Sequence, residues 1–258
     1  MSPSRNIPLT ARSVLVSVLL GTDPPWLPTP LLVRTAALFG ISEGSTRTSL
    51  SRLVAGDEAV AEDGGYRLVG RLVARQQRQN DSRRAEVRPW DGTWELASVG
   101  GDTRRPAADR AALRDALRVL RLFELREGMW GRPDNLDPAR SPDAADVASR
   151  WCVGWRGARP DPTPHVTVLL DLAGWADTAG GLRREMDALI GPLERAEATA
   201  LAEGFTTSAA VLRLLQADPL LPAEMLPLRW PGAALRAEYD RYDRAYRSTL
   251  RAWFSAAP

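Results

Sequence analysis

The sequence predicts an α+β protein whose pattern of helices and strands changes twice along the chain. Residues 1–88 combine helical patterns with one β-hairpin signal, residues 89–173 carry most of the other strand patterns, and residues 174–258 are helical. A chain of 258 residues is long enough for two or three compact domains. We therefore predict three domains with these boundaries.

The composition excludes several classes of protein. The 44% hydrophobic and 26% charged residues are ordinary for a globular chain, and no apolar run reaches the roughly 18 residues that span a membrane. Met1 to Thr10 lacks the layout of a secretory signal, so the expected compartment is the cytoplasm. The chain has one cysteine, Cys152, and one histidine, His165, too few for a disulfide or a Cys/His metal cluster. We expect no cofactor, no metal, no membrane partner and no enzymatic activity.

The positive charge is concentrated at the N-terminal end of the chain. Residues 1–90 carry 12 arginines against 8 acids, whereas residues 91–258 carry 22 arginines against 24 acids. All 34 basic residues are arginine, a residue suited to phosphates and guanine edges. A GC-rich genome also explains the absence of lysine, so the uneven distribution is what indicates a nucleic-acid partner.

The first part of the chain predicts two helices separated by a loop. Ala11 to Leu20 fits a short buried helix, and Gly21 to Pro28 is a proline-rich loop. Thr29 is predicted to cap a second helix that has Pro30 at its first position. Gly40 is predicted to end that helix, because glycine tolerates the left-handed conformation.

A third helix is predicted from Ser42, its N-terminal cap, to about Val54. Its buried stripe consists of Thr46, Leu50, Leu53 and Val54. The opposite face is small and polar and carries arginine, which suits a helix that enters the major groove closely. The candidate DNA-contacting residues of this helix are Ser42, Ser45, Arg47, Thr48, Ser51 and Arg52.

A β-hairpin signal follows the third helix. Glu58 to Glu62 and Tyr66 to Val69 alternate around Asp63-Gly64-Gly65, which completes the order of a winged helix-turn-helix. Arg67 lies on the returning strand, and a basic stripe follows at Arg71, Arg75 and Arg78. We predict that Ser45, Thr48 and Arg52 read base edges. The predicted phosphate contacts are Arg47, Arg67, Arg71 and Arg75.

The middle of the chain predicts a small α+β sandwich. The predicted strands are Trp94–Val99, Met129–Arg132, Trp151–Trp155 and Val166–Leu172. A helix is predicted from Ala107 to Phe123, and Asp134 to Ala148 is predicted to be a polar connection.

Three helices are predicted in the last part of the chain, at Leu182–Ala202, Ser208–Gln216 and Ala233–Phe254. The last of them carries aromatic residues near helical spacing, which predicts core packing or a subunit interface rather than ligand contact. These residues are Tyr239, Tyr242, Tyr246 and Trp253.

Three blocks of sequence, in order, resemble one protein family. They are Phe39-Gly40-Ile41-Ser42-Glu43 with Arg47 to Leu53 and Tyr66-Arg67-Leu68; Trp90-Asp91-Gly92-Thr93-Trp94 with Arg126 to Leu136; and Asp218-Pro219 to Trp230-Pro231-Gly232. They are similar to the PaaX-type bacterial regulators. The resemblance implies a ferredoxin-like middle domain and a homodimeric repressor that binds a palindromic double-stranded DNA operator. It also implies release by a small effector, of the acyl-CoA type in well-known members.

The sequence departs from the family pattern in two places. Thr206 to Leu215 carries only one charge, Arg213, where the family has a longer basic helix, and the middle domain is trimmed around Gly100 to Ala107. The identity of the effector therefore does not carry over. An effector pocket is expected near the Trp130 and Trp230 blocks, where the middle and C-terminal domains would meet.

Two other functions remain open at this point. One is a metal-dependent nuclease-like protein that uses Asp91 or Asp171 in the middle domain, which requires carboxylates that converge on one point. The other is a dimeric scaffold whose winged helix binds protein instead of DNA.

Overall fold

The computed structural model describes residues 10–100 and 105–256, and the chain forms two compact units. The first unit combines Met1–Arg84, Thr178–Ala217 and Pro231–Pro258; the second combines Ala85–Asp177 and Asp218–Trp230. The chain passes from the first unit to the second at 84/85 and returns at 177/178, each within four residues of a predicted domain boundary, 88/89 and 173/174. Residues 218–230 belong to the second unit although they follow a part of the first, and the sequence did not predict this. The division into three domains stays a prediction. The chain start and the trimmed segment after Gly100 lie partly outside the described residues.

The N-terminal segment, residues 10–84, contains four helices and three short strands. They are α1 (Ala11–Leu20), β1 (Trp26–Pro28), α2 (Thr29–Ala37), α3 (Glu43–Ala55), β2 (Ala59–Glu62), β3 (Gly65–Leu68) and α4 (Arg71–Arg84). The strands form an antiparallel sheet in the order β1-β3-β2. The three predicted helices and the hairpin are confirmed, whereas β1 lies in the segment predicted to be a loop.

The hairpin turn determines how β1 joins the sheet. Asp63 and Gly64 both have positive φ, 49° and 71°, as a tight two-residue hairpin turn requires. At Gly65 a Cβ would lie only 2.4 Å from the carbonyl oxygen of Leu27, so β1 can approach only because this residue is glycine. Thr29 does not cap α2. Its hydroxyl donates instead to Gly64 O at 2.9 Å.

Three long helices follow later in the chain: α8 (Leu172–Glu194), α9 (Leu201–Gln216) and α10 (Gly232–Ser255). Within the first unit α9 packs against both α4 and α10. Of the four aromatic residues predicted to pack in the core or at an interface, Tyr239, Tyr242 and Tyr246 on α10 are buried, whereas Trp253 is half-buried. Gly204 of α9 accepts a hydrogen bond from the Tyr242 hydroxyl at 2.9 Å.

The second unit is built on a four-stranded antiparallel sheet. Its elements are β4 (Trp94–Val99), α5 (Ala107–Val119), β5 (Phe123–Arg126), β6 (Met129–Pro133), α6 (Pro142–Ser149) and β7 (Cys152–Ala158), and the sheet order is β5-β6-β4-β7. Ala97 of β4 packs in a cluster with α5 and α6. Trp94 packs in a second cluster with the chain around Val166 and Leu221. Since side chains alternate along a strand, both faces of the sheet are covered.

Buried Arg132 on β6 anchors residues 218–230 within the second unit. Its guanidinium has no exposed surface and donates to Leu220 O at 2.8 Å and to Asn135 Oδ1 at 2.8 Å. Asn135 donates to the same Leu220 carbonyl at 3.0 Å. Burial, together with the positive charges of Arg140 and Arg121, lowers the pKa of Arg132 to about 9.

Three expectations in the middle of the chain are wrong. Val166–Leu172 does not form a strand, because Val166–Leu169 is a short helix, α7. Val166 and Leu172 pack in the second cluster while Val168 is 83% exposed, and this packing overrides strand propensity. The predicted helix from Ala107 to Phe123 stops at Val119, near Arg121 with its positive φ, and β5 follows. The predicted polar connection contains α6.

Candidate nucleic-acid interface

Helix α3 is fixed at its start by Ser42. The Ser42 hydroxyl accepts the backbone N–H of Ser45 at 3.3 Å and lies 3.1 Å from the Ser45 hydroxyl, as predicted for an N-terminal cap. Thr46, Ser49, Leu50 and Leu53 are the buried residues of the helix. Val54, predicted to be buried, is 36% exposed, and Ser49, which was not predicted to be buried, is 8% exposed.

The predicted DNA-contacting residues of α3 share one exposed surface, formed by Ser42, Ser45, Arg47, Thr48, Ser51 and Arg52. Ser42 and Ser45 bond to each other at the cap, Arg47 Nε pairs with Glu43 at 2.8 Å, and the Ser51 hydroxyl donates to Arg47 O at 3.1 Å. Within residues 10–100 and 105–256, the side chains of Thr48 and Arg52 have no hydrogen-bonding partner. Their polar groups are therefore free to contact an external molecule.

Arg67 and Arg71, the predicted phosphate residues beyond α3, each pair with a glutamate. Arg67 pairs with Glu62 on the neighbouring strand, and Arg71 pairs with Glu58. Glu58 is 5% exposed and also binds Arg12 of α1, with oxygen to nitrogen distances of 2.6 and 2.8 Å. Arg12 and Arg71 carry two positive charges against the single negative charge of Glu58, so this surface keeps a net positive charge. The sequence did not indicate Arg12, because its partner lies 46 residues away.

Arg75, the remaining predicted phosphate residue, has a different environment. No hydrogen bond or ion pair is formed by its side chain in the described part of the chain. Burial, then the nearby charges of Arg78, Arg12 and Arg213, lower its pKa. Arg75 thus lies among other cations, one of which, Arg213, belongs to α9. The structure brings the predicted α3 residues onto one face, and Arg75 on α4 lines a cavity with Arg213 instead.

Asp91 and Asp171, the two residues weighed as metal ligands, each accept hydrogen bonds from a residue two or three positions later. Asp91 accepts the N–H and hydroxyl of Thr93 at 3.0 and 2.6 Å, which lowers the pKa of Asp91, and Asp171 accepts the N–H of Gly174 at 2.8 Å. His165 is exposed, and burial raises the pKa of the Cys152 thiol. Among residues 10–100 and 105–256, no three His, Cys, Asp or Glu residues are arranged to hold a metal ion.

Trp130 and Trp230, near which an effector pocket was expected, are packing residues of the second unit. Trp130 lies in the cluster with α5 and α6, whereas Trp230 packs against the other cluster and stacks on Trp175 at 4.5 Å between ring centroids. A pocket near them stays a prediction.

Comparisons with known proteins identify the family. A model described as PaaX-like protein matches residues 10–72, and one described as PaaX-like protein C-terminal domain matches residues 171–256. Among solved structures, the uncharacterized protein Rv0674 from Mycobacterium tuberculosis is 40% identical with a TM-score of 0.69, covering 94% of this chain and 98% of that chain. No curated protein matches.

These matches define first a class, that of transcriptional regulators rather than enzymes. Within that class, the chain belongs to the PaaX-like family, whose members generally regulate phenylacetate catabolism. In the part of the chain that the structure describes, no helix is both long and apolar enough to cross a membrane.

Proposed function

We propose that this protein is a sequence-specific DNA-binding transcriptional regulator that reads a double-stranded operator with α3. The observation that carries the proposal is the exposed face of α3, where small hydroxyl side chains surround Arg52, which has no partner among the described residues. A face of this size and polarity fits the major groove, and a free guanidinium can bond in pairs to guanine O6 and N7. Salt-bridged surface helices, by contrast, pair most of their charges along the helix.

In this proposal the first three helices and the β2–β3 hairpin form a winged helix-turn-helix. Ser45, Thr48 and Arg52 contact base edges. Arg47 and Arg67 contact phosphates. The Arg47–Glu43 pair is exposed and the Arg67–Glu62 pair is half-exposed, and surface pairs are weak enough, at about 0–1 kcal/mol, to be exchanged. The strand and helix order of the second unit supports a ferredoxin-like middle domain.

The proposal extends to a homodimer that acts as a repressor and responds to a small effector, which the acyl-CoA-binding members of the family suggest. A two-fold dimer would place two α3 helices roughly 34 Å apart, or a multiple of that distance, on successive turns of DNA. Matching half-sites at that spacing in the operator would support this arrangement.

A gel-shift titration against the promoter region of the protein's own gene tests the proposal. With excess random DNA present, we expect a specific shift that weakens at least about tenfold between about 50 and 200 mM salt, because phosphate contacts release counterions. The double variant Thr48→Ala/Arg52→Ala is expected to abolish specificity. The control variant Arg244→Ala, which changes an exposed arginine of α10, is expected to leave DNA binding unchanged. No shift at low salt would contradict the proposal.

A further inference from the structure

Helices α1, α4, α9 and α10 of the first unit surround a cavity of about 130 Å³. Much of its wall is apolar and comes from residues of three of these helices. These residues are Val18, Leu20, Phe205, Leu212, Leu250 and Phe254. The exposed residues Arg75 and Arg213 also line it, so the cavity reaches the protein surface. It is therefore an apolar space with an opening at which charged groups lie.

The charges of the cavity are strongly unbalanced. Four arginines line it, Arg75, Arg83, Arg213 and Arg247, against a single acid, Asp243. Asp243 already binds two of them: its Oδ2 lies 3.0 Å from Arg83 and 2.9 Å from Arg247. Arg83 also pairs with Asp240 at 2.7 Å, just outside the cavity, which raises its pKa although burial opposes this.

Arg75 of α4 and Arg213 of α9 remain without a partner among residues 10–100 and 105–256. Both side chains line the same cavity, and burial, followed by the positive charges of Arg78, Arg12 and Arg213, lowers the pKa of Arg75. Folding places two cations that are 138 positions apart in sequence on one cavity, and the carboxylate of that cavity, Asp243, pairs with Arg83 and Arg247 instead. An anion bound between them would offset their positive charges and accept charge-assisted hydrogen bonds from both.

We propose that this cavity binds a small amphipathic organic anion, whose charged group lies between Arg75 and Arg213 and whose apolar body fills the space lined by Phe205, Leu212 and Phe254. The ligand is a carboxylate or a phosphate ester. An apolar cavity of about 150 Å³ accommodates a benzene ring, so the volume of about 130 Å³ fits a single ring or a short acyl chain.

A phosphate of bound DNA is the competing occupant, since the basic stripe of α4 predicts that Arg75 contacts the DNA backbone. The walls of the cavity favour the small anion. A DNA phosphate carries no apolar body to cover Leu212 and Phe254, and Arg213 lies on α9, outside the N-terminal segment. Both arginines and the apolar walls are needed to explain the site, and only an amphipathic anion uses all of them.

Calorimetric titration of the full chain, without DNA, tests the ligand class. The probes are benzoate, hexanoate and hexyl phosphate, which separate carboxylate from phosphate ester, with benzyl alcohol and hexanol as uncharged controls of matched size. We expect at least one anion to bind and its alcohol to bind at least about tenfold more weakly, because the charged group supplies a large part of the affinity. Equal binding of alcohol and anion, or binding of no anion at millimolar concentration, overturns the proposal.

Two kinds of variant locate the site. Arg75→Gln and Arg213→Gln each remove one charge and are expected to weaken anion binding at least about tenfold. Arg244→Gln removes an exposed charge of the same unit outside the cavity and should bind as the original chain does. Ala209→Phe leaves every charge in place and fills the cavity, so it should abolish binding. Unchanged binding in both glutamine variants refutes the site, whatever the folding of the phenylalanine variant.

This inference rests on the proposed function in one respect only: the ligand acts as an effector if the protein is a DNA-binding regulator. The calorimetry contains no DNA, so the two proposals fail separately. A chain that binds the anion but gives no gel shift retains the cavity site and loses the DNA-binding function. If the protein shifts DNA but binds no anion, and if Arg75→Gln lowers its DNA affinity, then Arg75 contacts the DNA backbone instead.

Discussion

Arg132 of the second unit has no exposed surface, whereas Arg52 of the first unit is exposed and has no partner among the described residues. Around Arg132 every hydrogen bond goes to carbonyl oxygens of the same unit, and the neighbouring Arg140 pairs with Glu95 at 2.6 Å. On α3 the side chain of Arg52 points to solvent and leaves its five N–H groups unused within the described chain.

The difference shows that abundance of arginine is a poor guide to nucleic-acid binding. In the second unit Arg132 and Arg140 hold buried carbonyls and a carboxylate in place, so the charge of these two residues is not available to a partner molecule. In the first unit Arg52, Arg75 and Arg213 keep their donors free. The candidates for binding are the arginines that lack an internal partner and also lie on the polar face of α3 or line the cavity, which Arg126 and Arg244 do not.

The strongest test of this contrast is Arg132→Met. The variant removes the donors to Leu220 O and Arg121 O, and leaves buried carbonyls with fewer partners. We expect the free energy of unfolding to fall by about 2–3 kcal/mol, because hydrogen bonds from a charged donor to buried carbonyl oxygens are lost without replacement. Urea denaturation measures the change, with Arg126→Met, an exposed residue of β5, as the control. A loss no larger than that of the control would show that Arg132 is dispensable to the fold.

Arg52→Ala tests the other side of the contrast. Operator affinity should fall by about 1–3 kcal/mol if the guanidinium makes a paired base contact, while stability stays unchanged because the side chain has no internal partner. Gel-shift titrations with operator and random DNA measure the effect. If both affinities fall equally, Arg52 contacts phosphate and the base-reading role is wrong.

Arg71→Gln examines an arginine that lies between the two extremes. Arg12 remains to bind Glu58, and the Arg71 side chain is 76% exposed, so stability should fall by only about 0.2–1 kcal/mol. As a phosphate contact, its loss should weaken binding to all DNA sequences alike and reduce the salt slope by about one. Unchanged DNA affinity would assign Arg71 to Glu58 alone.

The smallest expected effect concerns Asp91, an acid whose pKa is lowered mainly by the hydroxyl and N–H of Thr93. In Thr93→Val the hydroxyl donor is lost, so the pKa of Asp91 should rise toward its ordinary value. Because the folded-state pKa is depressed, the stabilisation is present above the ordinary pKa and is lost as pH falls through the folded value. An NMR titration measures the shift, and an unchanged pKa would contradict the assigned cause.

Local signals made α3 and the β2–β3 hairpin predictable from sequence. The Ser42 cap, the helical period and the turn at Asp63-Gly64 each depend on residues within a few positions of one another. Strand β1 was not predictable in this way, because it forms only by pairing with β3 about 40 residues later, next to a glycine that leaves room for it. The exposure of Val54 depends on small rotations of the helix that the period alone does not determine.

The partners of the arginines could not be predicted either. Arg83 and Asp243 are separated by 160 residues, and Arg12 and Glu58 by 46. Nothing in the local sequence distinguishes Arg71, which pairs, from Arg75, which does not. The one weak signal was Arg213, the single charge in an otherwise uncharged segment.

The return of residues 218–230 to the second unit sets the order in which the chain can fold during synthesis. The second unit has all its residues once Trp230 has left the ribosome, whereas the first unit must wait for α10. Until then the apolar side of α9 that packs on Tyr239, Tyr242 and Tyr246 is uncovered, and such a nascent chain is prone to aggregate or to bind chaperones. A fragment ending at Arg84 would likewise lack the helices that complete its unit, so swapping this segment alone between relatives should yield unstable hybrids.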